Sequence, residues 1–461
     1  MEPARQTGGE SLELEVGDVA QGGWCVAREP GGRVVLVRHT LPGERVLARL
    51  TEVTARFARA EATTILEASP DRVEPPCPHA HPGGCGGCDW QHASLAAQRR
   101  FKASVISQQL RRIAGLDREV TVEPLPGDED GLGWRTRVRF AVRADGLAGL
   151  RAHRSHEIID VGTCPIAHPL VNEVGVTGGR WPGAESVSAV TSPGTGEQDV
   201  VVTPGRPPHR RRPGGRPAGR AGGKDLGGRK SSDRDSRGRA GAQAAWAAQV
   251  EGSVLVDGGA GGLTALRGGP FLHQTAAGRK WRTSAGVFWQ VHPAAADVLA
   301  SGVREVLRPR PGDVALDLYC GAGLFAGVLA TDVGPSGAVI GIESDRAAVR
   351  DARHNLRDTP WARIHRGDVA EVLGHAEWDQ ASLAVLDPPR TGAARPVLDQ
   401  LLRSGTALRR IAYVSCDPAT LARDIAVFAE AGWELGALRG FDAFPMTHHV
   451  ECVATLTRPP G

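Results

Sequence analysis

The stretch Val314-Ala-Leu-Asp-Leu-Tyr-Cys-Gly-Ala-Gly-Leu-Phe325 decides how the C-terminal part of this chain folds. Val314–Leu318 is a compact apolar strand candidate, and a glycine turn at Gly321 and Gly323 follows it. Glycines there let the backbone turn tightly and approach a ligand closely. Outward from this stretch, Val339-Ile-Gly-Ile342, Ser382-Leu-Ala-Val-Leu386 and Arg410-Ile-Ala-Tyr-Val414 are further strand candidates. Helical stretches such as Arg346–Leu356 and Ala419–Ala431 separate them. Strands alternating with helices predict an open, mostly parallel α/β sheet over residues 286–461.

Ligands of such sheets bind past the carboxyl ends of the strands. Glu343 ends the second strand, where a carboxylate can accept both ribose hydroxyls of an adenosine. Gly321, Gly323 and Ala326 also fit the looser dinucleotide pattern, so NAD competes on pattern alone. Asp317 sits beside the glycine turn, where it would repel a pyrophosphate but not a sulfonium amino acid. That favours S-adenosylmethionine, as does Asp387-Pro-Pro-Arg390 just past the next strand but one.

Ser415-Cys-Asp-Pro418 follows a strand and precedes a helix, which places Cys416 at the mouth of the sheet. Its polar neighbours are unlike those of a core cysteine, and a helix start beside it is expected to lower its pKa. A thiolate there could add to carbon 6 of a uracil and make carbon 5 nucleophilic. A base must afterwards remove the hydrogen on carbon 5. His448, His449 and Glu451, in Phe444-Pro-Met-Thr-His-His-Val-Glu451, are equally available for that role on chemistry alone.

Phe288-Trp-Gln-Val291, Asp317-Leu-Tyr-Cys-Gly-Ala-Gly323, Asp387-Pro-Pro-Arg390, Ser415-Cys-Asp-Pro418 and His448-His-Val-Glu451 occur in this order. Together they resemble the RNA uracil-C5 methyltransferase family over nearly the full chain. The resemblance implies a Rossmann-like class I methyltransferase domain, with Cys416 as nucleophile and Glu451 as proton-abstracting base. It implies cofactor contacts from Gln290, Tyr319, Gly321, Gly323, Glu343, Asp368 and Asp387. Leu324 departs from the pattern, standing where many members carry Asn.

Cys77, Cys85 and Cys88 are spaced C-x7-C-x2-C, and Cys164 follows in Gly162-Thr-Cys-Pro165. Four thiolates suit zinc or an iron–sulfur cluster, and the spacing does not choose between them. The resemblance does: a subset of the family holds a 4Fe-4S cluster through a comparable Cys-Gly-Gly-Cys loop and a distant Cys-Pro. His79, His81 and His92 read as solvated loop residues, and Cys25, Cys320 and Cys452 as small buried residues.

Residues 10–69 carry short alternating segments, Leu12–Val16, Val34–Val37, Arg45–Leu50 and Ala62–Leu66, which predict a small β-barrel. It resembles the TRAM domain, an RNA-binding (OB-like) barrel. Residues 76–285 read as a mixed α+β central domain, with the cysteine loop at 77–92, a helix over 94–113 and a half-exposed basic strand at Arg135–Arg143. Trp134, Arg135 and Arg137 are candidate RNA contacts, and a structural role for Trp134 is the alternative. Residues 192–247 are rich in Gly, Pro, Arg and Ser and predict a disordered insert. It could touch phosphates or have no role.

The formal charge of +3 hides an uneven distribution. Residues 206–239 hold twelve Arg or Lys and three Asp, which is +9 and leaves −6 for the rest. A global basic footprint is therefore absent, and an RNA surface must be local. No apolar run is long enough to span a bilayer and no signal peptide is recognisable, so a cytoplasmic location is expected. Eight cysteines then call for metal binding, catalysis or burial rather than disulfides. Structured RNA is the expected partner, with 23S ribosomal RNA favoured over transfer RNA by the subset resembled. No obligate protein partner is implied.

Overall fold

The structure is a computed structural model that describes residues 9–205, 240–259, 262–375, 378–403 and 407–459. Strands β1 (Ser11–Ala20), β2 (Trp24–Arg28), β3 (Val34–Arg38), β4 (Arg45–Val53) and β5 (Phe57–Glu67) close into a barrel. Successive strand residues face opposite sides, so Leu14 and Val16, Val35 and Val37, and Val46 and Ala48 all point into its core. Trp90, Phe101 and Val105 join that core. The helix Leu95–Gln109 thus welds the barrel to the rest of the chain.

A seven-stranded sheet forms the centre, in the order β13-β12-β11-β10-β7-β8-β9. Its strands are β7 (Arg137–Val142), β8 (Ala148–Arg151), β9 (Ile158–Ile159), β10 (Ala184–Ser192), β11 (Glu197–Pro204), β12 (Ser253–Asp257) and β13 (Leu263–Arg267). This corrects the expected insert at both ends. Val200–Val202 pairs with β10 and is buried. Residues 240–248 are helical and anchored by Trp246, which is 3% exposed in the core of this sheet. An apolar triplet and one tryptophan suffice to fold segments whose average composition reads as disordered. The remaining stretch, 206–239, lies outside the described residues.

The hairpin β14 (Phe271–Ala276) and β15 (Arg279–Ser284), which the sequence groups with the centre, joins the two: Leu272 packs with Val190, Val201 and Leu255 of the central sheet, while Trp281 enters the C-terminal core. Trp281 is fully buried there, and Asn355 bonds the backbone of Arg282 on both sides.

The C-terminal sheet has eight strands in the order β18-β17-β16-β19-β20-β22-β21-β6. They are β16 (Val314–Leu318), β17 (Ala338–Glu343), β18 (Ala362–Arg366), β19 (Leu383–Leu386), β20 (Arg410–Ser415), β21 (Glu434–Asp442), β22 (Glu451–Thr457) and the short β6 (Val122–Pro124). From β18 to β20 the pairs are parallel, whereas β22 runs antiparallel to β20. The central segment donates β6 to the far edge. β16 lies between β17 and β19, so the order reverses there and a crevice opens above it. No helix among the described residues is long and apolar enough to cross a membrane.

Candidate active site

The cofactor end grows from the row of residues just past β16, β17 and β19. Register pairs Leu318 with Ile342 and with Leu386, so Tyr319, Glu343 and Asp387 end the three strands side by side. Gly321 (φ +52°) and Gly323 (φ +92°) make the turn in the left-handed region, and a Cβ on Gly323 would meet Ala352 at 3.2 Å. Glu343 accepts from Gly321 N at 3.1 Å and from Asp345 N at 2.7 Å. Asp368 caps the next helix through Oδ1, accepting from Ala370 N at 2.9 Å. Leu324 is buried at the foot of the turn.

Asp317 is fully buried, with Oδ2 accepting from Ala326 N at 2.6 Å and Oδ1 unpartnered. Burial pushes its carboxyl up to about 8, and the nearby Asp387 and Glu343 add to the rise. A carboxyl whose folded pKa is raised contributes stability that is complete below its unfolded value near 4 and lost as pH climbs through the folded value. The ligand-free protein should therefore lose thermal stability between about pH 4 and 8. Asp317→Asn, which keeps the acceptor for Ala326 N, should remove the Asp317 share of that loss and raise stability at pH 8 by a few kcal/mol, on the order of 3, while the buried Asp387 and Glu451 still contribute theirs. Melting curves against pH check this.

The reactive end lies two strands away. Antiparallel register pairs Ser415 with Cys452, so the next pair across the strands is Cys416 and Glu451. Such partners have Cα atoms about 5 Å apart. Glu451 is buried at 5% exposure, and its Oε2 is unpartnered. Burial raises its carboxyl well above the usual range, the charge of Asp387 adds to this, and Arg390 opposes it. Asp387 is raised by burial as well. The thiol of Cys416 is pushed up to about 12 by burial, with the charge of Glu451 next, while Arg390 pulls it down. The expected lowering by the helix Pro418–Glu430 is thus outweighed by burial and two carboxylates. At neutral pH Cys416 is therefore a thiol in the ligand-free protein.

That pocket is a cavity of about 240 Å³ lined by Cys416, Asp417, Pro418, Arg390, His448 and His449 together with Ala20, Gln21 and Gly22 of the barrel. Gln21 Nε2 donates to Asp417 Oδ2 at 2.9 Å, while Asp417 Oδ1 caps the helix behind Cys416. The barrel therefore forms one wall of the site.

The loop before Glu451 is clamped from outside its own domain. Lys102 and Asp442 form a fully buried ion pair, and Lys102 also reaches Phe444 O at 3.0 Å. Gln98 accepts from Met446 N at 2.7 Å. Asp89, next to Cys88, accepts from His448 Nδ1 at 2.6 Å and from His448 N at 3.2 Å, and it pairs with Arg38 of the barrel. Burial alone would raise Asp89, but His448 and Arg38 outweigh it and hold it down at about 2. Burial lowers His449 to about 3, so it is neutral. Asp89→Ala would leave buried Arg38 with only the more distant Glu61 and would strip half-buried His448 of its carboxylate. It is expected to cost about 3 kcal/mol in urea unfolding, and Asp89→Asn less.

The sequence-predicted cysteines Cys77, Cys85, Cys88 and Cys164 do meet, lining one small cavity with Gln91, Arg135 and Ile166. Sulfur acceptors are served by donors: Gln91 Nε2 reaches Cys88 Sγ at 3.2 Å, and backbone NH groups of Gly87 and of Ala167 and Ile166 face Cys85 and Cys164. Burial first, and repulsion between neighbouring thiolates second, raise the thiols of Cys85, Cys88 and Cys164. A Cβ on Gly84 or Gly86 would strike backbone within 2.6 Å, so the loop is wrapped tightly. Buried thiols that repel as anions and have NH donors aimed at sulfur fit a soft cationic group. As the side chains stand, no three His, Cys, Asp or Glu among the described residues form a ready metal-holding group.

Other expectations shift. Gln290 is buried and lines a separate small cavity with Thr136, Gln274 and Trp289, not the Cys416 pocket. Arg137 points inward and donates to the carbonyls of Ala285 and Val287, so it is a structural strut and not a free RNA contact. Trp134 is buried against the rings of His292 and Phe444. His92 is buried beside Thr40 O, contrary to the solvated reading. Cys25, Cys320 and Cys452 are buried. The sequence reading missed Asp89, Gln21 and Arg390; only Arg390 carried a signal, as the last residue of its motif.

A methyltransferase-type sheet whose active-site wall is an RNA-binding type of barrel defines the class: an RNA methyltransferase. The comparisons agree. Residues 375–459 match the tRNA (Uracil-5-)-methyltransferase family, residues 5–63 the TRAM domain, and residues 284–396 the protein-L-isoaspartate(D-aspartate) O-methyltransferase family. Proteins named uncharacterized RNA methyltransferase from Streptomyces avermitilis and Streptomyces coelicolor are each 48% identical over 97% of this chain, covering 98% and 93% of their own lengths. One from Bifidobacterium longum is 34% identical over 97% of this chain and 96% of its own. The crystal structure of Pyrococcus abyssi tRNA (uracil-54, C5)-methyltransferase with S-adenosyl-L-homocysteine shares the fold, with a TM-score of 0.67, 21% identity and coverage of 96% and 99% of the two chains. The chain belongs to the RNA methyltransferases that join a TRAM domain to a tRNA (uracil-5-)-methyltransferase domain.

Proposed function

We propose that this enzyme methylates carbon 5 of a uridine in structured RNA, using S-adenosylmethionine, with Cys416 as covalent nucleophile and Glu451 as base. The observation that carries the reading is that Cys416 and Glu451 follow directly on the last registered pair of β20 and β22, Ser415 and Cys452, close enough for the charge of Glu451 to act on the Cys416 thiol. When bound, S-adenosylmethionine supplies an electrophilic methyl group on a cationic sulfur. Residues for it are at hand: the unpartnered Asp317 Oδ1, the Glu343 carboxylate and the tight Gly321–Gly323 turn. Tyr319, Asp368 and Asp387 stand beside them. Gln290 lies apart, so its contribution would come from the domain junction.

The Cys416 thiol loses its proton to water, which leaves Glu451 free to act as base later, and the sulfur adds to carbon 6. The ring electrons shift so that carbon 5 becomes nucleophilic. After methylation Glu451 takes the carbon-5 proton, the carbon 5–carbon 6 double bond re-forms and the sulfur leaves. Arg390, beside Cys416, opposes the charge of the carboxylates and favours the thiolate. A base this deep must leave its stack, so a loop or bulge is the target.

The four-cysteine cavity is read as the seat of a 4Fe-4S cluster. Such a group would lock residues 77–92 and, through Asp89, the loop that carries Glu451. Ribosomal RNA of the 23S type is the first substrate reading, from the iron–sulfur and TRAM-bearing members resembled. Transfer RNA is the second, favoured by the substrate of the Pyrococcus enzyme. Anaerobically purified protein, labelled S-adenosylmethionine and separate unmodified RNA pools test this, with modified nucleosides mapped by mass spectrometry. 5-Methyluridine in one pool identifies the substrate. None in either pool, from protein that binds the cofactor, overturns the reading.

A further inference from the structure

A further cavity, of about 510 Å³, opens on the surface beside the cysteine loop. Arg135, Arg139, Arg151 and Arg154 line it with His153 and His156, and no carboxylate does. Arg139, Arg151 and Arg154 are exposed. Arg154 is in a loose ion pair with Glu52 of the barrel at 3.5 Å, whereas no ion pair with a carboxylate is found for Arg139 or Arg151 among the described residues. Arg139 is steadied by Ser186 Oγ at 2.9 Å and Arg151 by His156 Nδ1 at 2.9 Å, so the two guanidinium groups are held without being neutralised. In a chain that is net negative outside residues 206–239, such a carboxylate-free cluster of cations is a local feature with a purpose.

The floor is rigid. Gly86 N bonds Arg151 O at 3.0 Å, and a Cβ on Gly86 would strike the backbone of His153 at 2.6 Å. One edge of the cavity leads towards the active site. The ring of His153 meets the half-buried Trp24 edge-on at 5.8 Å, and Arg59 and Arg38 lie over the same indole. Trp24 stands two residues from Gly22, which lines the Cys416 pocket. Cationic groove, aromatic ring and reactive pocket therefore follow one another along the junction of barrel and central sheet.

We infer that this groove holds the sugar–phosphate backbone of the single-stranded RNA segment flanking the target uridine, with Arg139 and Arg151 as its principal phosphate contacts. A row of guanidinium groups suits phosphates because each offers a fork of donors to the anionic oxygens. The assignment rests on the enzyme acting on RNA, as proposed above, but not on which atom it methylates.

The test is equilibrium binding and steady-state kinetics of the holoenzyme with the unmodified RNA pool, comparing wild type with Arg139→Ala/Arg151→Ala and Arg139→Lys/Arg151→Lys. The alanine variant should bind RNA at least about tenfold more weakly. The slope of log affinity against log salt should become shallower by about 1.4, the value for two phosphates of a single strand. KM should rise while kcat at saturating RNA stays within about twofold, and cofactor binding should not change. The lysine variant should keep the slope. Unchanged affinity and slope in the alanine variant overturn the inference. So does a lysine variant as impaired as the alanine one, because the role would then be packing and not charge. A wild type that binds RNA with the predicted salt slope yet methylates no uridine would count against the proposed reaction and leave the groove standing.

Discussion

Cys416→Ala is expected to lower methyl transfer by at least about 10⁴-fold while leaving cofactor binding intact. The expectation comes from the chemistry before the geometry. Carbon 5 of uracil is too weak a nucleophile to attack a methyl group unless something adds to carbon 6. Cys416 is the half-buried thiol placed at the carboxyl edge of the sheet, opposite a buried carboxyl and beside Arg390. Its pKa of about 12 in the ligand-free protein means that little thiolate is present at neutral pH. The rate should therefore rise with pH across the neutral range in wild type, and Arg390→Ala should push that rise further to the alkaline side. Cys416→Ser should be nearly as inactive as the alanine variant, because an alkoxide is harder still to form in this setting. Single-turnover assays with labelled cofactor, alongside a cofactor-binding titration, separate lost chemistry from lost binding.

Glu451→Gln should be slower by roughly 10² to 10⁴-fold, and in a different manner. Glutamine occupies the same space and removes the carboxylate that adjoins Cys416 at the ends of β20 and β22. Addition and methylation can still proceed, but the carbon-5 proton cannot leave. The variant should accumulate a methylated, covalent protein–RNA complex that survives denaturing electrophoresis. Its nucleophile should also ionise more readily, since the charge of Glu451 is one of the forces raising Cys416. If Glu451→Gln were inactive without any trapped complex, the base would lie elsewhere. Neutral His449, in the same pocket, would then be the next candidate.

Much of this site was legible because its residues lie at strand ends. The apolar runs at 314–318, 339–342, 382–386 and 410–414 are buried on both faces and announce themselves by composition. The residues after them must then gather at one edge of the sheet. β18 was missed since four of its five residues are at least partly exposed and basic or small. β6 was missed because three residues carry no period, and its place depends on pairing with β21 more than 300 residues away. Arg137 shows the limit of alternation: the strand does alternate, but the guanidinium turned inward to two carbonyls that no pattern announces. The same holds for Asp89 and His448, which lie 359 residues apart and meet only when the cysteine loop folds over the segment that leads into Glu451. The sign of the Cys416 shift was wrong in sequence because a helix start is visible there, whereas burial and two facing carboxylates are not.

That contact also gives the thiol cavity a physical role in a reaction that transfers no electrons. Cys88 and Asp89 are adjacent, and Asp89 and Trp90 both bond Met446 O at 3.0 Å. Order in the cysteine loop is thereby passed to the segment that leads into Glu451.

The most direct test of the central claim uses RNA in which uridine is replaced by 5-fluorouridine. Fluorine on carbon 5 cannot be removed as a proton, so an enzyme working through a Cys416–carbon 6 bond must stop at the adduct. Intact-mass analysis of wild-type protein should show a cofactor-dependent protein–RNA species whose crosslinked peptide contains Cys416, absent from Cys416→Ala. Methyl transfer to ordinary uridine without any such adduct, or an adduct on another residue, would contradict the account.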